Sequence, residues 1–105
     1  MTGSNGEQPR FHVSAIGPAS EAYRDIQRRA ELAGGSDRVE AVFREIVRRL
    51  KYDPREFGEP MYELRVMHMQ VRKAAIDPLY VEYGVHNEQP VVVIRRVRWI
   101  GDLAS

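Results

Sequence analysis

The side chains best suited to chemistry in this sequence are arginines at the end of a β-branched segment. Val91 to Ile94 is apolar at every position, as expected of a strand that is buried on both faces. The segment then becomes cationic, with three arginines within four residues, Arg95, Arg96 and Arg98. A guanidinium group is planar and permanently charged, and it binds a phosphate or a carboxylate through two parallel hydrogen bonds. The pattern predicts a strand that begins in the core and ends as a basic tip.

Alternation decides which of these arginines can act together. Successive side chains of a strand point to opposite faces, so Arg96 and Arg98 should share one face. Arg95 should lie on the other face with Val97 and Trp99. If those two apolar side chains face a layer of helices, Arg96 and Arg98 face outward and are the best candidate pair for binding an anion. Packing at the edge of the core is the expected role of Trp99, and stacking on a nucleic-acid base is the alternative.

A structural role is the alternative for the same arginines. Opposite charges across neighbouring strands are common, so ion pairs with Glu82 and Glu63, or a solvated sheet edge, would also account for them. A further group of basic residues lies in helical segments, interleaved with acidic residues, and indicates solvated helix faces. These are Arg24, Arg28, Arg29, Arg44, Arg48, Arg49 and Lys51.

Proton transfer needs other side chains, since arginine keeps its proton at any working pH. The candidates are histidines, glutamates and tyrosines: His12, His68, His86, Glu63, Glu82, Tyr80 and Tyr83. We select His68 because it lies between Arg65 and Arg72 in the sequence. A half-exposed strand histidine without a chemical role is the alternative. The sequence contains no Ser-His-Asp order, Gly-rich phosphate loop or zinc-ligand spacing, so we expect no metal and no cofactor.

Composition excludes several classes of protein. A chain of 105 residues predicts one domain, and 43% hydrophobic with 30% charged residues is ordinary for a globular protein. Sixteen basic against fifteen acidic residues give a net charge of +1, so any electrostatic role must come from local clustering. The absence of cysteine excludes disulfides and thiolate sites and fits a reducing cytoplasm. No apolar run approaches the roughly 18 residues of a membrane span, so we expect a cytoplasmic protein without a membrane partner.

The elements that position these residues follow from hydrophobic periodicity. Phe11 to Ile16 alternates and predicts a first strand. Apolar residues at helical spacing then predict a helix that begins near Ser20 and ends at Gly34-Gly35. The second helix has the clearest pattern, with apolar residues at Val39, Val42, Phe43, Ile46, Val47 and Leu50. Asp37 and Glu40 resemble a capping box at its start, and Asp53-Pro54 closes it. The short connection predicts an antiparallel helical hairpin.

Strands follow the helices. Residues 61–66 alternate weakly, residues 67–76 place Met67, Met69 and Val71 on one face, and residues 79–85 alternate clearly. A polar loop at residues 86–90 then leads to the strand that carries the arginines. Helices early and strands late predict an α+β domain, with the helical hairpin on one face of a mostly antiparallel sheet. We expect a disordered lead over residues 1–9, the domain over residues 10–100 and a short tail over residues 101–105.

The last hairpin carries a family resemblance. Leu79-Tyr-Val-Glu-Tyr-Gly-Val85, a polar turn and Val91-Val-Val-Ile-Arg-Arg-Val97 resemble the C-terminal hairpin of the RelE/ParE superfamily, in which an aromatic-centred strand pairs with a valine-rich one. A second helix that ends in a Pro-containing loop is also similar. These proteins are small toxins of bacterial toxin–antitoxin pairs with a β-α-α-β-β-β order. The resemblance spans roughly residues 11–99.

The resemblance implies two functions. RelE-like members cut mRNA on the ribosome, using basic residues on the open face of the sheet, whereas ParE-like members bind DNA gyrase. Metal-independent RNA cleavage needs a base, cations for the developing phosphorane charge, and an acid for the leaving oxygen. Carried onto this chain, the resemblance implies a catalytic set of Arg72, Arg96, Arg98 and His68. It implies RNA binding by Arg65, Lys73 and Arg95. The implied partner is an antitoxin that covers the basic face with an acidic segment. A homodimer is a further alternative.

Two departures from the nuclease pattern favour the alternative function. Nuclease members commonly carry an arginine at the start of the aromatic-centred strand, where this chain has Pro78-Leu79. They also often have a tyrosine near the C-terminus, which this chain lacks. The alternative is a non-enzymatic ParE-like or degenerate member that acts by binding a protein. Plain nucleic-acid binding, which predicts a steep dependence on salt, is a third hypothesis that the net charge supports little.

Overall fold

The computed structural model of the protein describes residues 9–100. The predicted lead, apart from Pro9, and the predicted tail lie outside the described residues. The order of elements is β1 (His12–Ala15), α1 (Gly17–Ala33), α2 (Ser36–Tyr52), α3 (Pro54–Phe57), β2 (Glu59–Leu64), a 3-10 turn (Arg65–Met67), β3 (Met69–Ile76), β4 (Leu79–His86) and β5 (Val91–Trp99). The predicted α+β class and the order of strand, helical hairpin and strands are confirmed. The short α3 and the 3-10 turn were not predicted.

The five strands form one sheet in the order β1-β5-β4-β3-β2. The first strand pairs with β5 in parallel, and every other pair is antiparallel. The hairpin of β4 and β5 therefore occupies the middle of the sheet, with β2 and β1 at the two edges.

Both long helices begin differently from the sequence expectation. Helix α1 begins at Gly17 rather than at Ser20, because Pro18 fits in the first turn of a helix, where its missing N–H is not needed. Its end at Gly34 is as predicted: φ is +80° there, and the Gly34 N–H bonds back to the last turn. Helix α2 begins after Gly35, and no side chain caps it, so the capping box predicted at Asp37 and Glu40 is wrong.

The helical hairpin covers one face of the sheet through its apolar stripes. Ile26 and Ala30 of α1 and Ile46 and Leu50 of α2 are buried in the same core cluster as the centre of the sheet. Burial of a leucine or isoleucine side chain stabilises the folded state by about 1.5–3 kcal/mol. No helix within residues 9–100 is long and apolar enough to cross a membrane.

Strand β4 separates the two faces of the sheet. Leu79, Val81, Tyr83 and Val85 are buried in the core under the helices, and we call this side the helix face. The alternate residues Tyr80, Glu82 and Gly84 point to the opposite side, which we call the open face.

Tyr83 anchors α3 to the helix face. Its hydroxyl donates a hydrogen bond of 2.7 Å to the Pro54 carbonyl oxygen, and its ring lies 6.3 Å from the ring of Phe57. Gly58 follows directly and passes so close that a Cβ atom there would lie 2.4 Å from the Lys73 carbonyl oxygen and 2.7 Å from the Tyr83 hydroxyl. Only glycine permits this approach between the α3 loop and β3.

We therefore predict that Gly58→Ala lowers the free energy of unfolding by roughly 1–3 kcal/mol, because backbone atoms must move to admit the methyl group. Urea denaturation measures the change. Gly17→Ala is the matched control: no atom lies within 4 Å of a Cβ at that position, so its effect should stay within about 0.5 kcal/mol. Equal unfolding midpoints for the two variants would contradict this account of Gly58.

Candidate functional site on the open face of the sheet

Two arginines of β5 lie on the open face. Val97 is buried in the core and Trp99 packs against it, so both point toward the helices. Arg96 and Arg98 alternate with them and therefore point to the opposite side, where both are exposed.

A β-bulge adds the third arginine to the same face. Tyr83 pairs with Ile94 and Glu82 pairs with Arg96, so Arg95 is an extra residue without a partner on β4. Its Cδ atom lies 3.8 Å from the position of a Cβ on Gly84, which belongs to the open face. The expectation that Arg95 shares a face with Val97 and Trp99 is therefore wrong, because the bulge interrupts the alternation.

A single carboxylate lies among these cations. Glu82 Oε2 accepts a hydrogen bond of 2.6 Å from the Tyr80 hydroxyl, and Glu82 Oε1 lies 3.6 Å from Arg96 Nε. The Glu82 side chain is only 16% exposed, whereas that of Arg96 is 57% exposed. The Arg98 guanidinium carbon lies 5.7 Å from the centre of the Tyr80 ring, which is cation–π geometry. We call these four residues the Glu82 cluster.

A lysine on the next strand and the burial of Tyr80 also affect the charges of the Glu82 cluster. Lys73 of β3 pairs directly with Glu82, so its ammonium group belongs to the open face. Burial raises the pKa of Tyr80, and the hydrogen bond and charge of Glu82 raise it further, while the charges of Arg98 and Arg96 act in the opposite direction. Tyr80 therefore holds its proton at neutral pH, as an ordinary tyrosine does.

A groove of about 380 Å³ begins beside Tyr80. It exists because the pairing of β2 with β3 ends at Glu59 and Lys73. Beyond this point β3 pairs with β4 alone. The groove is lined by Phe57, Gly58, Glu59, Lys73, Ala74, Ala75 and Tyr80. Lys73 and Tyr80 belong both to this groove and to the open face, so the groove adjoins the Glu82 cluster.

Arg72 does not belong to this site. It pairs with Tyr83, so it lies on the helix face, and it is only 8% exposed. Its guanidinium group donates hydrogen bonds of 2.6 Å to Gln70 Oε1 and of 2.6 Å to the Gly58 carbonyl oxygen. The expected set of Arg72, Arg96 and Arg98 on one face is therefore wrong. Lys73 faces the open side, so Arg72, the residue before it in the strand, must face the helices.

Arg65 and His68 lie at the far end of the sheet. Arg65 begins the 3-10 turn, and His68 follows it with a φ of +54°. The His68 ring lies 6.2 Å from that of His86, at the last residue of β4. Six residues of strand separate His86 from Tyr80, or about 20 Å. The structure thus does not bring His68 to the Glu82 cluster, and within residues 9–100 no three His, Asp or Glu side chains are grouped to hold a metal ion.

Glu82 and Tyr80 are the site residues that sequence reasoning passed over. Both were candidates for proton transfer, but His68 was preferred because of its neighbours in the sequence. The signal that could have found them is their spacing. Residues two apart in a strand share a face, and Arg96 and Arg98 have the same spacing on the next strand.

Comparison with known proteins identifies the fold. The sequence matches no protein-family model, and no curated protein is significantly similar to it. Among solved structures, the chain is similar to the RelBE2 toxin–antitoxin complex of Mycobacterium tuberculosis, with a TM-score of 0.65 and 19% identity over 91% of this chain and 98% of that chain. It is also similar to the chromosomal ParDE system of P. aeruginosa, with a TM-score of 0.62 and 13% identity over 88% and 98% of the two chains.

An archaeal RelE–RelB complex from Pyrococcus horikoshii gives a TM-score of 0.55 and 18% identity over 88% of this chain and 97% of that chain. The chain therefore has the RelE/ParE toxin fold that the resemblance predicted. Identity this low establishes the fold, and function has to be argued from the site.

We predict that Arg72→Ala lowers the free energy of unfolding by about 2 kcal/mol. The substitution removes the buried guanidinium group with its two hydrogen bonds and leaves the Gly58 carbonyl oxygen without this donor. Arg65→Ala removes the same charge at an exposed position and should change stability by no more than about 0.5 kcal/mol. Chemical denaturation of both variants gives the comparison. Equal losses of stability would show that Arg72 is not the structural residue described here.

Proposed function

We propose that the protein is the toxin-like component of a bacterial type II toxin–antitoxin module and that it acts as a RelE-type mRNA endoribonuclease. The observation that carries the proposal is the Glu82 cluster, in which cations and a proton-transfer pair lie together on the open face of a RelE/ParE fold. The site of action is the cytoplasm, where translated mRNA is found.

The open face provides what metal-independent RNA cleavage requires. The arginines and Lys73 supply cations that bind the phosphates of an extended RNA and stabilise the charge that develops on the attacked phosphorus. Arg96 and Arg98 are exposed enough to reach a substrate, and Arg95 extends the basic surface past Gly84. Arg72 and His68 are not needed at the site, because Glu82 and Tyr80 supply groups that exchange protons.

The same surface suits an antitoxin. The three solved structures to which the chain is similar are toxin–antitoxin assemblies. An acidic segment that folds on binding would pair with Arg96, Arg98 and Lys73 and would exclude substrate from the groove. Inhibition would then follow from occupation of the open face.

A ParE-like protein that binds DNA gyrase is the second candidate. The likeness to the ParDE system is nearly as close as that to RelBE2, with TM-scores of 0.62 and 0.65. Pro78-Leu79 stands where nuclease members commonly have an arginine, which also favours a protein that acts by binding. In that case the basic face would be a docking surface without a chemical step.

Induction of the protein in bacteria, followed by mapping of transcript 5′ ends, separates the two candidates. The proposal predicts growth arrest with new cleavage sites in translated mRNA. The double variant Arg96→Ala with Arg98→Ala should reduce cleavage at least about 100-fold, because it removes two groups that stabilise the transition state. Arrest with intact transcripts would favour gyrase binding and contradict the nuclease.

The matched control is Arg24→Ala with Arg44→Ala. It removes the same charge from exposed positions on the two helices, on the other side of the molecule. It should arrest growth and cleave mRNA as the wild type does. An equal loss of activity in the control would show that net charge, rather than the open face, determines the effect.

A further inference from the structure

We propose that Glu82 and Tyr80 are the catalytic base and acid of this site, with single-stranded RNA as the substrate. The assignment rests on the proposed nuclease function. It names two residues that the sequence resemblance did not imply, and it replaces His68 in the proton-transfer role.

Glu82 has the position of a general base, and one of its two carboxylate oxygens can accept a proton. Its Oε2 atom is fixed by the 2.6 Å hydrogen bond from Tyr80, which holds the carboxylate in one orientation. Its Oε1 atom lies 3.6 Å from Arg96 Nε, which is longer than a hydrogen bond and leaves that oxygen able to accept a proton. The side chain is mostly buried yet retains 16% exposure, so part of it is open to solvent.

Tyr80 has the properties of the complementary acid. It lines the groove, and the Arg98 guanidinium lies over its ring. A phenol holds its proton at neutral pH, so Tyr80 enters the step protonated. Burial and Glu82 raise the pKa of Tyr80, which makes it a weaker acid, and the charges of Arg98 and Arg96 act in the opposite direction. The charged groups on the same face are Arg95, Arg96 and Arg98 from β5 and Lys73 from β3. Glu59 of β2 pairs with Lys73 and lines the groove beside Tyr80.

The step balances without metal or added reagent. Glu82 takes the proton of the ribose 2′-hydroxyl while the 2′-oxygen forms a bond to phosphorus. The bond from phosphorus to the 5′-oxygen of the next nucleotide breaks, and that oxygen takes the proton of Tyr80. Donation of that proton breaks the hydrogen bond from Tyr80 to Glu82 Oε2. The proton on Glu82 then passes to the phenolate through a solvent molecule, and the hydrogen bond forms again. The products are a 2′,3′-cyclic phosphate and a 5′-hydroxyl, and both side chains regain their first state.

Arg96 and Arg98 act on the charge that this step creates. The pentacoordinate phosphorus carries extra negative charge on its free oxygens, and guanidinium groups beside it lower the barrier. The bulge at Arg95 contributes because it brings an additional cation to the same face of the strand.

The test uses a cell-free translation reaction with a defined mRNA. The purified protein is added in excess over the ribosomes. Glu82→Gln keeps the shape of the side chain but cannot take up the proton, so cleavage should fall about 100- to 10,000-fold. Tyr80→Phe should reduce it about 10- to 100-fold.

Matched variants separate chemistry from structure. Glu88→Gln makes the same change at an exposed position in the β4–β5 turn and should cleave at the wild-type rate. Glu82→Asp keeps the carboxylate and should recover part of the rate. Circular dichroism checks that each variant is folded, and Tyr80→Phe carries the test alone if Glu82→Gln does not fold.

The outcomes distinguish this inference from the proposed function. If the wild type cleaves mRNA and the folded Glu82→Gln and Tyr80→Phe variants cleave at the same rate, the assignment is wrong and the nuclease function stands. Cleavage products that carry a 5′-phosphate would also overturn the assignment. If the wild type leaves translated mRNA intact, the nuclease function is wrong and the assignment falls with it.

Discussion

The alternation of side chains along β4 is the constraint on which the rest of the molecule depends. Leu79, Val81, Tyr83 and Val85 must all face the helices, because each would forfeit its burial if the strand slipped by one residue. The same slip would place Glu82 in the core without a partner, which costs several kcal/mol. The apolar half of the strand therefore fixes its polar half on the open face, so the stability of the core and the position of the site have one cause.

The open face combines regular and irregular features. Regular pairing places Lys73 and Arg96 on either side of Glu82. The bulge at Arg95 then adds a cation that a regular strand would have sent into the helix layer. Three arginines and a lysine on one surface would repel one another, and the Glu82 carboxylate offsets part of that repulsion. A substrate or a partner that brings its own negative charge would offset more of it, which is why this surface is the best candidate for binding.

Sequence reasoning succeeded where local pattern determines the outcome. The period of α2 and the alternation of the last hairpin each bury a continuous stripe, so these elements could be predicted from the residues alone. Arg72 could not be placed, because the apolar residues that alternate with it, Met69 and Val71, are buried on the open face and not under the helices. Arg95 was misplaced because nothing in the sequence marks the bulge. Gly58 gave no signal either, since its close approach to β3 arises only in the folded protein.

The most direct test asks which face of the molecule meets its target. Ala75 is exposed on the open face beside Tyr80, and Ala41 is exposed on α2. A photoreactive benzophenone amino acid at each position, in separate variants, would be activated in growing cells. The account predicts cross-links to mRNA or the ribosome from position 75 and none from position 41. Cross-links to the target from position 41 alone would contradict it.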